Sequence, residues 1–202
     1  MLKLVKIAIT GGVASGKTSV CQFFQELGAY VVNTDKIVHE LLLSDTDLVQ
    51  KIIRQFGPEV IKNKELDRRI LAEKVFKDSK SLLVLEQLIH PAVLRKIKEF
   101  YVRASEKNHY ASFVVEIPLL FEIQEESFYD YTVTVVADEA IAKERFQSQG
   151  FQNTEYDQRM KRQLTPHQKA LKSHYILQNN NSLADLKNKV IALNQILQQP
   201  KE

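Results

Sequence analysis

Gly11, Gly16, Lys17 and Thr18 stand in the spacing G-x-x-x-x-G-K-[ST], within the run Gly11-Gly-Val-Ala-Ser-Gly-Lys-Thr18. Each residue type does something that a phosphate requires. Glycines let the backbone turn tightly enough for several N–H groups to point at one oxyanion, and a helix starting directly afterwards adds the positive end of its dipole. A lysine at this place bridges β- and γ-phosphates, and the next hydroxyl ligates Mg2+. The motif has meaning only between a strand and a helix. Both flanks are present: residues 5–10 form an apolar run, and residues 19–27 carry Val20, Phe23, Phe24 and Leu27 on one face at helical spacing. The segment Gly11, Gly12, Val13, Ala14, Ser15, Gly16, Lys17, Thr18 and Ser19 is therefore expected to hold a nucleoside triphosphate such as ATP. Lys17 is its catalytic cation and Thr18 a metal ligand. A glycine-rich turn with an incidental lysine is the bland alternative, and the strand–loop–helix context weighs against it.

The elements that must position this loop are legible as five short apolar segments, 5–10, 30–33, 112–117, 132–137 and 174–178, separated by helical stretches. That alternation predicts an α/β fold, a three-layer α/β/α arrangement around a five-stranded parallel sheet. Ligands of such sheets collect at the carboxyl ends of the strands, which directs attention to the residues immediately after each one. Asp35, just past the second strand, either orients and deprotonates a hydroxyl or caps a helix beginning at Lys36. Glu116 ends the third strand, where a carboxylate reaches Mg2+ or is held by a nearby lysine. Leu119, Leu120 and Phe121 come next, as core or as the wall of an acceptor pocket.

One unit of 1–202 is expected, its core made of 1–36, 108–140 and 173–202. A helical lobe occupies about 37–107, with helices at 47–56, 66–76, 81–89 and 93–106. Gly57-Pro58, Asn63 and His90-Pro91 punctuate it, Pro91 opening the next helix. A second excursion, about 141–172, carries Lys143, Arg145, Arg159, Lys161, Arg162 and Lys169. It reads either as a lid over phosphates or as an ordinary solvated basic face.

Composition narrows the class. A chain of 202 residues buries a proper core, and a net charge of +3 suits small polyanions better than nucleic acid. Cys21 is the single cysteine, so an internal disulfide is impossible; it reads as a small buried hydrophobe in a reducing compartment. Apolar runs fall short of about 18 residues, and the N-terminus leads into a strand rather than a signal peptide. A cytoplasmic enzyme without nucleic-acid or membrane partners is expected, as a monomer or small homo-oligomer.

The order of parts resembles the nucleoside-monophosphate kinase group, and the detailed motifs resemble the dephospho-CoA kinase family within it. The resembling residues are Thr10-Gly-Gly-Val-Ala-Ser-Gly-Lys17, Leu27-Gly-Ala-Tyr-Val-Val-Asn-Thr-Asp-Lys36, Phe56-Gly57, Leu66-Asp-Arg-Arg-Ile-Leu71 with Val75-Phe76, Ile89-His-Pro91 and Pro118-Leu-Leu-Phe-Glu122. Weaker matches continue through Arg145, Gln163 and 176–179. The resemblance implies Mg2+-assisted, in-line transfer of the γ-phosphoryl of ATP to the ribose 3′-hydroxyl of dephospho-CoA, the last step of coenzyme A biosynthesis. It implies that Asp35, from the family's D-x-D motif, is the general base, although Asn33 replaces the first Asp. His90 of the H-P motif helps to hold dephospho-CoA. Arg68 of L-D-R serves the substrate's pyrophosphate, where the residues alone equally allow ion pairs with Glu65, Asp67 or Glu73. Leu119 lies at the acceptor, Arg145 on ATP and Asn179 near the adenine.

Two stretches depart from the family. An arginine expected in R-D-G-L is replaced within Gln149-Gly-Phe-Gln, leaving Arg159 or Arg162 to reach the phosphates. The A-D-x-V-I-D-N-x-G stretch becomes Ser173-His-Tyr-Ile-Leu-Gln-Asn-Asn-Asn. A kinase for another nucleotide or sugar acceptor, and a catalytically degenerate nucleotide-binding module, are the competing expectations.

Overall fold

The structure is a computed structural model that describes residues 4–63, 65–75, 78–107 and 109–199. It divides into two compact units, 1–32 with 103–202, and 33–102.

The first unit is built on a five-stranded parallel sheet. Its strands are β1 (Lys6–Gly11), β2 (Tyr30–Asn33), β5 (Phe113–Glu116), β6 (Tyr131–Val136) and β7 (Tyr175–Gln178), ordered β2–β5–β1–β6–β7. β1 is central and buried along its whole length. It lies in parallel register with β5, Ile9 opposite Glu116, and with β6, Gly11 opposite Val135. All five strands coincide with the five apolar segments of the sequence.

Alternation along β1 sorts large from small. Ile7 and Ile9 join Val20, Cys21 and Phe24 of α1 (Lys17–Glu26) in one core. Leu186, Val190, Leu193 and Leu197 of α9 (Leu183–Leu197) complete it. Cys21 is a buried packing residue, as expected, and burial pushes its thiol pKa well up. The small Ala8 and Thr10 point to the opposite face, and there α8 (Pro166–Lys172) packs on β6 and β1. Small side chains on that face admit a helix at close range.

Lys169 of α8 is 0% exposed. Its Nζ donates to the Pro118 carbonyl and to Gln163 Oε1 (3.0 Å), and pairs with Glu122 Oε1 at 3.0 Å. Glu122 Oε1 also accepts from the Leu164 N–H at 2.7 Å. Burial lowers the lysine pKa, and the Glu122 charge partly offsets that shift. Part of the basic excursion is thus anchored onto the sheet.

The second unit contains α2 (Thr34–Ser44), α3 (Thr46–Phe56), the short antiparallel pair β3 (Ile61–Lys62) and β4 (Glu65–Leu66), α4 (Arg68–Val75) and the long α5 (Ser79–Lys107), which continues past it into the first. Three expectations need correction. Asp35 does not cap α2: Asn33 does, its Oδ1 accepting the Lys36 N–H at 3.0 Å, so the helix starts earlier. The helix expected over 66–76 begins at Arg68, because Asp67 Oδ1 accepts from the Arg69 and Ile70 N–H groups (2.9 and 3.2 Å); its expected end, Phe76, lies outside the described residues.

The third correction concerns Pro91, which opens no helix. α5 runs through it unbroken. An interior proline costs about 3 kcal/mol, but Leu85, Ile89, Ala92, Val93 and Ile97 form a continuous buried stripe on both sides of it. At roughly 1.5–3 kcal/mol per large buried aliphatic side chain, the stripe outweighs the lost hydrogen bond.

The Lys169–Glu122 tie makes a stability prediction. Lys169→Met leaves a largely buried carboxylate without its cation and is expected to destabilise the protein by about 3–5 kcal/mol. Adding Glu122→Gln is expected to recover at least about 1 kcal/mol of that loss. Urea unfolding of the wild type, both single variants and the double variant measures the coupling; purely additive losses would show that the pair is not coupled.

Candidate active site

The turn after β1 is shaped by lack of room. Gly11 has φ +146°, and a Cβ there would lie 2.2 Å from the Val135 carbonyl oxygen of the neighbouring strand. The turn closes with Gly16 in the left-handed region (φ +98°) as the N-cap of α1, without a side-chain cap. A helix start of this kind suits an anion as its cap. Lys17, the first residue of α1, is buried and folds back over the loop, its Nζ donating to the Gly11 and Gly12 carbonyls at 3.2 and 2.6 Å. Its cation is held inside the curve of the turn.

Thr18 comes next. Its hydroxyl donates to Glu116 Oε1 at 3.0 Å. Glu116 ends β5 and is 6% exposed, so a strand end and a helix start meet in one hydroxyl–carboxylate pair. Both donors are hard oxygens, the set that Mg2+ takes when phosphate and water supply its remaining ligands. The residues present therefore fit the metal that the motif implies.

A cavity of about 420 Å³ gathers most of the residues expected on the nucleotide side. Ala14, Gly16, Lys17, Thr18, Ser19, Glu116, Arg145 and Asn179 line it. Gln149, where the family has an arginine nearby, lines it as well, together with Asn181 and Leu183, which sequence reasoning did not single out. The Arg145 guanidinium donates through Nη1 to the main-chain oxygen of Asn179 at 2.9 Å. Gly12, Val13 and Ser15 lie elsewhere on the loop: Gly12 and Ser15 are buried or nearly so, and Val13 leans with Ala14 on an apolar cluster formed by Ala142, Phe146 and Tyr156.

That cluster belongs to α6 (Glu139–Ser148) and α7 (Asn153–Met160), and it absorbs some of the basic charge of the excursion. The Arg159 guanidinium lies 5.1 Å from the Phe146 ring and 4.8 Å from Phe151, two rings that stack on each other at 4.7 Å. Lys143 pairs with Glu139 (2.8 Å) and Asp157 (3.1 Å), tying α6 to α7. These two cations serve the excursion itself.

Leu119 is half-buried in the turn after β5, whereas Leu120 and Phe121 are core. In the second unit, Asp35 is exposed in the first turn of α2. His39 stands at i+4 from it, which puts it on the same helix face. Arg68 Nη1 meets His39 Nδ1 at 2.6 Å rather than the carboxylates of Glu65, Asp67 or Glu73. Arginine can only donate, so Nδ1 is the acceptor and the ring carries its proton on Nε2. The spacing from Asp35 was the one available sign of His39. His90 is half-buried in mid-helix and caps no helix.

The comparisons with known proteins agree with one another. The dephospho-CoA kinase family model matches residues 5–185. A dephospho-CoA kinase of Protochlamydia amoebophila is 41% identical over 199 residues, covering 98% of each chain. Among solved structures, a Thermus thermophilus protein superposes with TM-score 0.81 at 29% identity, covering 96% of this chain and 98% of its own. The dephospho-CoA kinase from Campylobacter jejuni gives 0.70 at 28%, with 96% of each covered. A match spanning both units and every strand of the sheet means that the chain belongs to the dephospho-CoA kinase family.

Proposed function

We propose that this chain transfers the γ-phosphoryl group of ATP to the ribose 3′-hydroxyl of dephospho-CoA, giving coenzyme A. The observation that carries this reading, in a member of that family, is the joint placement of Lys17 over the loop carbonyls and of the Thr18 hydroxyl against Glu116. Phosphoryl transfer asks little covalent work of a protein; it needs positioned phosphates, neutralised charge and an oriented acceptor hydroxyl. The backbone of 11–19 and Lys17 hold the triphosphate. Thr18 and Glu116 hold Mg2+, which when bound offsets charge on the phosphate oxygens. Arg145 stands on the nucleoside side, and Asn179 lines the same cavity beside the loop.

In the second unit, Asp35 takes or orients the proton of the 3′-hydroxyl, and Arg68 and His90 hold dephospho-CoA; Leu119, of the first unit, is assigned to the acceptor on the family motif alone. The His39 contact fixes one edge of the Arg68 guanidinium and so supports its use as an oriented donor. We assign the lid to α6 and α7, because Lys169 anchors α8 on the sheet. The enzyme works in the cytoplasm, as a monomer or small homo-oligomer; no helix among the described residues is long and apolar enough to cross a membrane. A different acceptor and a degenerate binding module are both disfavoured by the family match.

The test is ADP release from Mg-ATP with dephospho-CoA, AMP, adenosine or no acceptor. Release with dephospho-CoA alone, and a product of coenzyme A mass, is the expected result; release with another acceptor moves the substrate. Lys17→Ala is expected to abolish turnover while leaving the thermal transition in place. Asp35→Asn is expected to lower kcat by roughly 10²–10⁴-fold with little change in ATP affinity, and near-normal turnover would remove Asp35 from the chemistry. Glu116→Gln is expected to raise several-fold the Mg2+ concentration needed for half-maximal rate, which a magnesium titration reads.

A further inference from the structure

We infer that Asn179 is a positioning residue of the phosphate-binding loop, setting polyphosphate affinity rather than reading the base; this rests on the reading of the loop as the triphosphate site. Asn179 comes directly after β7, and its main-chain N–H donates to the Val136 carbonyl at 2.8 Å. The sheet therefore fixes where it stands. From there the side-chain Nδ2 crosses to the loop and donates to the Ser15 carbonyl at 2.8 Å. Asn179 is 4% exposed and Ser15 2%, so the bond is shielded from water while it is made.

The receiving carbonyl lies at the strained point of the turn. Ser15 sits between Ala14 (φ +52°) and Gly16 (φ +98°). A left-handed alanine costs of order 1–3 kcal/mol and persists only where the surroundings over-determine it. The amide also packs against the loop's last glycine: a Cβ on Gly16 would lie 2.2 Å from Asn179 Nδ2. Gly16 is thus required twice, for its backbone angle and to admit the amide. Asn179's main-chain oxygen meanwhile holds Arg145, so one residue links the sheet, the loop and the arginine of the cavity.

An asparagine that reads adenine uses its amide bidentately, the oxygen accepting from N6 and the nitrogen donating to N7. Here the nitrogen is directed into the loop. Residue 179 therefore acts on whatever the loop holds, whichever base is attached.

The experiment is calorimetric titration, in Mg2+ buffer, of the wild type, Asn179→Leu and Asn179→Ala with inorganic tripolyphosphate, ADP and GDP. Leucine fills nearly the same volume without a donor. All three dissociation constants are expected to rise together by roughly five- to tenfold, leaving the ADP-to-GDP ratio unchanged. Unchanged tripolyphosphate affinity alongside a collapsed ADP-to-GDP ratio would overturn the inference in favour of base contact. Should neither variant fold, the wild type decides: the Asn179 carboxamide protons, followed by ¹⁵N NMR, are expected to exchange slowly with and without tripolyphosphate, and fast exchange would overturn the brace. A wild type that binds all three ligands but phosphorylates no dephospho-CoA would sink the kinase assignment and leave the brace standing.

Discussion

The nucleotide side of this protein depends on a shortage of space at the end of its central strand. β1 runs between β5 and β6, and at Gly11 the neighbouring carbonyl leaves no room for a side chain. The chain must turn there on its backbone alone, and it re-enters regular structure through a left-handed glycine. Packing decides the next step. Val20, Cys21 and Phe24 bury one face of α1 against the sheet, and Lys17 lies three and four residues before the first two. The core contacts that fix the rotation of the helix therefore also turn Lys17 inward. Thr18, one residue on, is carried to the strand end where Glu116 waits. A hydrophobic stripe thereby aims a cation and a hydroxyl.

The opposite face of the sheet ties the same region from behind. The Pro118 carbonyl accepts from both the Thr10 hydroxyl and Lys169, so the ends of β1 and β5 are cross-linked through one acceptor. Glu122 extends the tie to the turn before α8 by accepting the Leu164 N–H. A buried ammonium is costly, and it is tolerated here because three oxygens surround it. The strand ends that carry Thr10 and Glu116 are thus braced by the buried Lys169 and by Glu122.

How much of this is legible in the chain depends on the range of the forces involved. The loop is legible because its requirements are local: glycine where the backbone turns, lysine and threonine at fixed offsets, an apolar run before and an amphipathic one after. β1, β5 and β6 are legible because both faces are covered and the runs are mostly apolar, and the edge strand β7 shows by its short Tyr-Ile-Leu run although Ile176 and Gln178 are exposed. Glu116, Arg145 and Asn179 stand out in the sequence, and the structure brings them to one cavity. Pro91 misleads because local propensity argues for a break while burial over several turns decides otherwise. Asp35 admits a capping alternative beside its reading as a base because Asp caps well, but Asn does so too, and Asn33 stands where β2 ends. Lys169 looks like one more solvated charge, since nothing in a basic segment marks which lysine the fold will bury. The β3–β4 hairpin, two residues a side, is too short to show a period. The Asn179 amide contact is invisible for a different reason, because its partner lies 164 residues away.

The distribution of motifs along the chain carries a last consequence. The generic part of the chemistry, a strand, a phosphate loop, a lysine and a hydroxyl–carboxylate pair, lies wholly in the first unit. The L-D-R and H-P motifs, and Asp35 itself, lie in the single stretch 33–102. That stretch leaves the sheet after β2, and its last helix leads back to β5, the strand next to β2. It is an insertion between neighbouring strands, and the order of the sheet constrains only its two ends. Its interior answers to its own buried stripes instead, such as that of α5 around Pro91 and that of Leu48, Ile52 and Phe56 in α3. The loop has no such freedom, because a side chain at Gly11 would meet the Val135 carbonyl and one at Gly16 the Asn179 amide. Sequence change in the insertion is therefore limited by its own packing rather than by the sheet. The phosphate loop is limited by the core around it, where one added methyl group meets a carbonyl or an amide.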